Sequence, residues 1–353
     1  MTATLDRGPK PAGARRQSAR SRRLSELTKR DRALRGVLLT AALIPTLALV
    51  FLAYQMIKSA YPAIVFNGWH FFTTKKFDLG NQYGSGVEVH HGYKAPAGAQ
   101  YGVLTLLFGT IVSSLIALVL AVPVSVAGAI LLVEKLPARL QGPLGVFLEL
   151  LAGIPSVIFG LWGVYTLGPL MSRTVFKWIA ALQIPWMRSP TGSGEGLLSA
   201  SVVLAVMIVP IIASITRELV RAVPAVSKEG AVALGLTPSE TVRFVTIPYV
   251  RTGIIAAAIL GWARALGETI AVLIISGNAL GSYPHSIFDA FSTMASTIAA
   301  LLDSALTDST HMAVDSLAEV GLVLLAVTMA TNFGGRLLTR RFSDAGLPVG
   351  RGV

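Results

Sequence analysis

Six stretches of this chain are long and apolar enough to cross a bilayer as helices. A run of 18 or more apolar residues spans the hydrocarbon core, and a chain with several such runs folds around the membrane. The stretches lie at 36–57, 102–133, 143–171, 197–216, 253–277 and 317–338. Only 14% of the 353 residues are charged, against about 25% in soluble domains. The first stretch has 22 residues, whereas the apolar part of a secretory signal has about 7–15. It therefore reads as a transmembrane helix. The second and third exceed what a bilayer needs, which predicts tilt or interfacial turns.

Charge fixes an orientation. Residues 1–35 carry 11 Lys or Arg among Pro, Gly and Ser, and read as a disordered basic tail. With six spans and this tail inside, 22 Lys and Arg fall on the inner side and 7 on the outer side. That is the positive-inside pattern, and it assigns the net charge of +12 to loops rather than to nucleic-acid binding. Both termini are expected in the cytoplasm, 58–100 and 278–316 outside, and 217–252 inside. The expected organisation is a tail (1–35), a first helix (36–57), an outer segment (58–100), a core (101–340) and a C-terminal tail (341–353). Trp69, Trp178 and Trp186 read as interfacial anchors. The chain has no cysteine, which rules out disulfides and thiolate chemistry.

The inner loop 217–252 carries the most specific pattern. Gly235 is placed to stop one short helix. Thr237, Pro238 and Glu240 then form a capping box with proline at the first helical position, and Pro248 is expected to end the second helix. Small residues at Gly230, Ala231 and Ala233 allow another surface to come close. A capped linker would explain this much.

The fifth stretch holds Arg264 and Glu268 on the same face as Gly253, Ala257 and Gly261, within about 80° at the helical period. Small residues at four-residue spacing permit close helix contact. An arginine at the middle of a span costs ~2.5–3.5 kcal/mol on insertion scales and so faces protein or water. Glu268, one turn on, can pair with it. The pair is either a self-neutralising salt bridge or a station for an anion, with Glu268 orienting a guanidinium whose planar fork suits phosphate. Gly153 and Pro155 would weaken or kink the third helix and free backbone groups to line a cavity. Ser156 then either donates to a passing anion or bonds within its own helix. Glu149 lies either on the path or at the inner interface. His90 with His91, and Asp308 with His311 and Asp315, are loosely metal-like but read as loop residues.

The loop spacing resembles that of ABC importer permeases: Glu-Ala-Ala, three residues, Gly, nine residues, Ile-x-Leu-Pro. The matching positions are Glu229, Gly230, Ala231, Gly235, Val245, Ile247 and Pro248, with conservative departures at 230, 245 and 247. Arg264-Ala-Leu-Gly-Glu268-Thr269 and Glu149–Gly163 resemble the phosphate-specific permease family, the PstC and PstA pair, and PstC more than PstA. The resemblance covers roughly residues 36–340. It implies an all-α type I importer fold of about six spans, with the 229–248 region coupling to a cytoplasmic ATPase. It also implies roles in transport for Arg264 and Glu268, with Thr269 and Ser156 beside them on the substrate path. The implied partners are a PstA-like second permease, two copies of a PstB-like ATPase, a PstS-like external phosphate-binding protein, and membrane lipid. The chain has no Gly-Lys dipeptide and so no phosphate-binding loop of the Gly-x-x-x-x-Gly-Lys type. ATP and magnesium are therefore expected on the partner, with no cofactor on this chain. Competing readings are a molybdate or sulfate permease, and an ion-coupled secondary transporter using Arg264 and Glu268 as a charge relay.

Overall fold

A computed structural model describes residues 12–82, 86–187, 193–281 and 283–344, with side chains between 34 and 340. The chain divides into two units, 1–58 and 59–353. Helix α1 (Ala12–Asn67) starts within the stretch expected to be a tail and supplies the described part of the first unit. Its apolar span begins at Leu34, and none of its most apolar window is buried. A helix apolar on every side with no protein cover suits a lipid environment.

The second unit is a helical bundle with a small cap of strands. Helix α2 (Leu104–Ile130) continues through a π turn at 131–135. Then come α3 (Ala138–Ala152), α4 (Ser156–Trp162), α5 (Leu197–Arg221) and α6 (Ala225–Ala233). They are followed by α7 (Ile247–Leu266), α8 (Ile270–Ile275), α9 (Met294–Ala305) and α10 (Met312–Asp344). Helix α5 is the hub. It packs against α2, α7 and α3 through Leu204, Ile208 and Ile212, which meet Ala117, Ala121 and Ala257. Its Ala and Ser residues keep the neighbouring backbones close. Ser125 of α2 donates to the Val209 carbonyl of α5 at 3.1 Å.

Three spans differ from expectation. The third is broken at 153–155, and the segments on either side bend by 89°. Gly153 and Pro155 do more than kink it, because Pro155 takes an extended backbone (ψ 137°) that no helix continues through. The fifth runs from Pro238 to Leu266 instead of 253–277. It stops at Gly267 (φ −92°, ψ 0°), and α8 is a separate short helix. Pro248 does not end a helix as expected. It falls in the first turn of α7, where a missing N–H is tolerated, and the π turn at 242–246 precedes it, with the Ile247 N–H reaching the Val242 carbonyl. The first span is longer than 36–57, since the apolar helix runs to Asn67.

The outer segments are more ordered than their composition suggests. Strands β1 (Phe77–Asp78) and β4 (Gln100–Tyr101) pair, as do β2 (Val87–His90) and β3 (Tyr93–Pro96). His91 and Gly92, with φ of 49° and 85°, make the two-residue turn between β2 and β3, and His90 lies 5.0 Å from the Phe66 ring. Phe71, Phe77, Tyr101, Met294, Met312 and Val320 form a second core under this cap. Burial and the nearby Asp308 and Asp78 carboxylates push the Tyr101 hydroxyl above the usual tyrosine range. Asp308 accepts from the N–H groups of Thr310 (2.8 Å) and Ala313 (2.9 Å), and so fastens the start of α10.

Candidate functional site

The two broken spans meet. Gly160 of α4 lies against Ala271 and Ile274 of α8, where a Cβ would come within 3.0 Å of the Ala271 Cα. Three residues on, Gly163 faces Ile275 and Val203. The contacts advance together along both helices, so α4 and α8 run parallel and start side by side. The breaks at 153–155 and 267–269 are therefore neighbours. Helix α7 runs antiparallel to α5, since Gly253 faces Leu219 and Gly261 faces Ile212. That register puts Arg264 level with the middle of α5, and so deep in the membrane layer. Trp262 Nε1 donates to Ser114 Oγ at 3.1 Å and fixes the rotation of α7 against α2.

Arg264 is exposed and, among the described residues, makes no hydrogen bond or ion pair. The expected pairing with Glu268 is not formed. The reason is local: α7 ends at Leu266, so Glu268 does not occupy the next turn of the same face. Glu268 and Thr269 are half-buried, and Thr269 Oγ1 donates to the Gly267 carbonyl at 3.2 Å. Ser156 is half-buried at the start of α4 and its hydroxyl is bonded to no described residue. The small-residue face of the fifth span packs on α5 of the same chain. Among the described residues, what remains open near the breaks is a guanidinium without a counter-ion and the Ser156 hydroxyl, that of Thr269 being spent on the Gly267 carbonyl. Such a set has the chemistry that an anion site needs, since charged hydrogen bonds are the strong ones and Arg presents them in a planar fork.

The inner loop folds largely as its sequence reads. Helix α6 ends in a Schellman motif: the Leu236 N–H bonds the Ala231 carbonyl (3.1 Å) and the Gly235 N–H bonds that of Val232 (2.9 Å). Gly235 has φ +87°. The Thr237–Glu240 capping box forms in both directions. Ala231 is buried, while Glu229 and Gly230 face outward beside Val226 (78% exposed) and Leu234 (83% exposed). These two large aliphatic side chains leave an open apolar patch around a bare glycine, the kind of surface on which a partner can pack.

Three ion contacts were not legible in the sequence. Arg217 is buried and bonds Glu149 and Glu218, each at 2.9 Å. Glu149 thus ties α3 to α5. Gly145 makes room for it, since a Cβ there would overlap Arg217 Nη1. Lys228 of α6 bonds Glu134 at 2.6 Å. Glu319 of α10 is 5% exposed and accepts from Asn67 Nδ2 at 2.8 Å. A carboxylate inside an expected span was the available signal for Glu319. Apart from Glu218, which adjoins Arg217, the partners lie 68, 94 and 252 positions away, and nothing local announces them.

Residues 108–344 match the family described as binding-protein-dependent transport system inner membrane component. The chain belongs to this family. The phosphate transport system permease protein PstC 1 of Mycobacterium tuberculosis is 48% identical over 336 residues, spanning 94% of this chain and 99% of that one. PstC of Pasteurella multocida is 34% identical over 293 residues, spanning 82% and 87%. A chain from the crystal structure of a bacterial alginate ABC transporter, in complex with an alginate pentasaccharide-bound periplasmic protein, superposes with a TM-score of 0.56 at 15% identity. The match covers 89% of this chain and 97% of that one. It shows the fold, which is mostly helical with five long apolar helices and one broken span among the described residues; the family match makes it an inner-membrane component.

Proposed function

We propose that this permease moves inorganic phosphate inward as the transmembrane subunit of an ATP-driven importer. The observation that carries the reading is the 48% identity to PstC 1 over nearly the whole of both chains. The mid-membrane Arg264 without a counter-ion supports it physically, because an uncompensated cation at that depth calls for an anionic ligand. Arg264 is the main charge offered to phosphate. Ser156 offers its hydroxyl to the ligand, Thr269 would do so on releasing the Gly267 carbonyl, and Glu268 limits how much negative charge the site accepts. A second, PstA-like permease completes the path, and a PstS-like protein delivers phosphate from outside. Two PstB-like ATPases bind ATP and magnesium and close against α6, through Glu229, Gly230, Ala231 and the turn at Gly235, with Pro248 starting the span behind them. This chain itself performs no covalent step and binds no cofactor.

The test is hydrolysis by the reconstituted complex. Phosphate loaded on the binding protein is expected to stimulate ATP hydrolysis, with sulfate and molybdate giving little. Stimulation by sulfate or molybdate instead would make this another oxyanion permease. Phosphate accumulation in vesicles by this chain alone, driven by an ion gradient, would make it a secondary transporter.

Both termini and the 217–252 loop are assigned to the cytoplasm, and 58–100 with 278–316 to the outside. Because the chain lacks cysteine, single engineered cysteines report sidedness cleanly. A cysteine at position 240 is expected to resist an impermeant thiol reagent in sealed cells, and one at position 94 to react. Labelling of 240 from outside would invert the topology.

A further inference from the structure

Glu134 stands where three elements meet at the inner end of the bundle. It lies in the π turn Leu131–Lys135 that finishes the span begun by α2. One of its oxygens, Oε1, accepts from Lys228 Nζ of α6 at 2.6 Å and from Thr246 Oγ1 at 3.4 Å. Thr246 closes the second π turn, Val242–Thr246, from which α7 departs, and is fully buried. The Glu134 and Lys228 side chains are only 18% and 24% exposed, so solvent screens the pair far less than an open surface bridge. Beside it lies a cavity of about 170 Å³, lined by Lys135, Val232, Pro238 and Thr241 among others. The Thr241 hydroxyl is buried there and finds no hydrogen-bond partner among the described residues.

We infer that Glu134 is a positioning residue that passes movement of α6 to α7, which carries Arg264, and to α2, which is packed against it. The inference rests on α6 being the ATPase contact. Helix α6 touches the spans through few elements, and the Lys228–Glu134 pair is its one ion pair with them among the described residues. The same oxygen engages α2 and, through Thr246, α7. Helix α7 carries Arg264, and α2 holds α7 in rotation through Ser114 and Trp262. Both contacts fall in π turns, which recur at functional sites where a helix departs from its regular hydrogen-bond pattern. The adjoining cavity leaves α6 room to shift without first displacing packed side chains. A push on α6 pulls Lys228 and Glu134, and the two spans turn together.

The test uses the full complex reconstituted with its ATPase and phosphate-loaded binding protein, measuring phosphate taken up per ATP hydrolysed. Glu134→Gln keeps the shape and an acceptor for Thr246 but removes the charge. It is expected to lower uptake per ATP about tenfold, with ATP hydrolysis and co-purified ATPase held. Lys228→Gln gives the same loss from the other side and serves if Glu134→Gln does not assemble. The double variant Glu134→Lys with Lys228→Glu is expected to recover most of the uptake per ATP. Unchanged uptake per ATP in an assembled single variant overturns the inference, as does a double variant that assembles and recovers nothing. Failure of the docking reading looks different: Leu234→Asp would then leave the ATPase bound and stimulated as before.

Discussion

Arg264→Gln is expected to lower phosphate uptake roughly 100-fold while the permease still assembles with its partners. The figure follows from losing a charged hydrogen-bond donor to an anion, about 1.5–3 kcal/mol. Assembly should survive because Arg264 bonds no described residue and is exposed. Its removal therefore leaves no group of the chain unpaired. Glu268→Gln should act more weakly and shift preference among oxyanions of different charge. The double variant decides between two roles. A self-neutralising salt bridge predicts that the single changes destabilise the complex and the double change restores it. The geometry argues otherwise, since α7 stops at Leu266 and Glu268 sits beyond the break. The double variant is accordingly expected to transport as poorly as Arg264→Gln. Recovery of uptake by the double variant, measured with assembly in the same membranes, would remove Arg264 from the path.

This site also shows where sequence reading stops. Arg264 was found because an arginine in an apolar run is costly enough to demand a reason. Its relation to Glu268 was misjudged because periodicity assumes that the helix continues, and Gly267 ends it. The same assumption joined α7 to α8 as one span, whereas the opposite one, that proline stops a helix, placed Pro248 at a helix end. Glycine and proline were recognised as weak points at 153 and 155, but the 89° bend depends on α4 finding Ala271 and Ile274 to pack on. The inner loop was read more faithfully since its determinants are local: a positive φ at Gly235 and a reciprocal cap over four residues. Helix α9 was missed inside a segment that reads as polar and mildly acidic, because its cap pairs Thr293 with Ser296 in place of the Glu or Gln looked for. The Arg217–Glu149 and Lys228–Glu134 contacts join residues 68 and 94 positions apart, beyond any local rule.

The locality of the Gly235 turn gives the second large prediction. A β-carbon at 235 would meet nothing within 4 Å, so any effect of substitution is conformational and not steric crowding. With φ at +87°, valine must either hold a strained backbone, costing about 1–3 kcal/mol, or abandon the turn. Abandoning it releases the Leu236 and Gly235 hydrogen bonds that close α6 and swings Leu234 away from its neighbours on the docking face. Gly235→Val is therefore expected to leave permease in the membrane at normal levels, because the spans do not depend on this turn. Phosphate uptake should fall by an order of magnitude or more, as roughly 1.4 kcal/mol lost at the ATPase contact corresponds to tenfold. Gly235→Asn is the control, since asparagine enters the left-handed region far more readily than a β-branched residue, and it should retain most of the uptake. A contact through chain sequence alone would rank the two replacements alike; a contact through backbone shape ranks asparagine well above valine. Equal and normal coupled transport by both variants would show that the shape of this turn plays no part in engaging the ATPase.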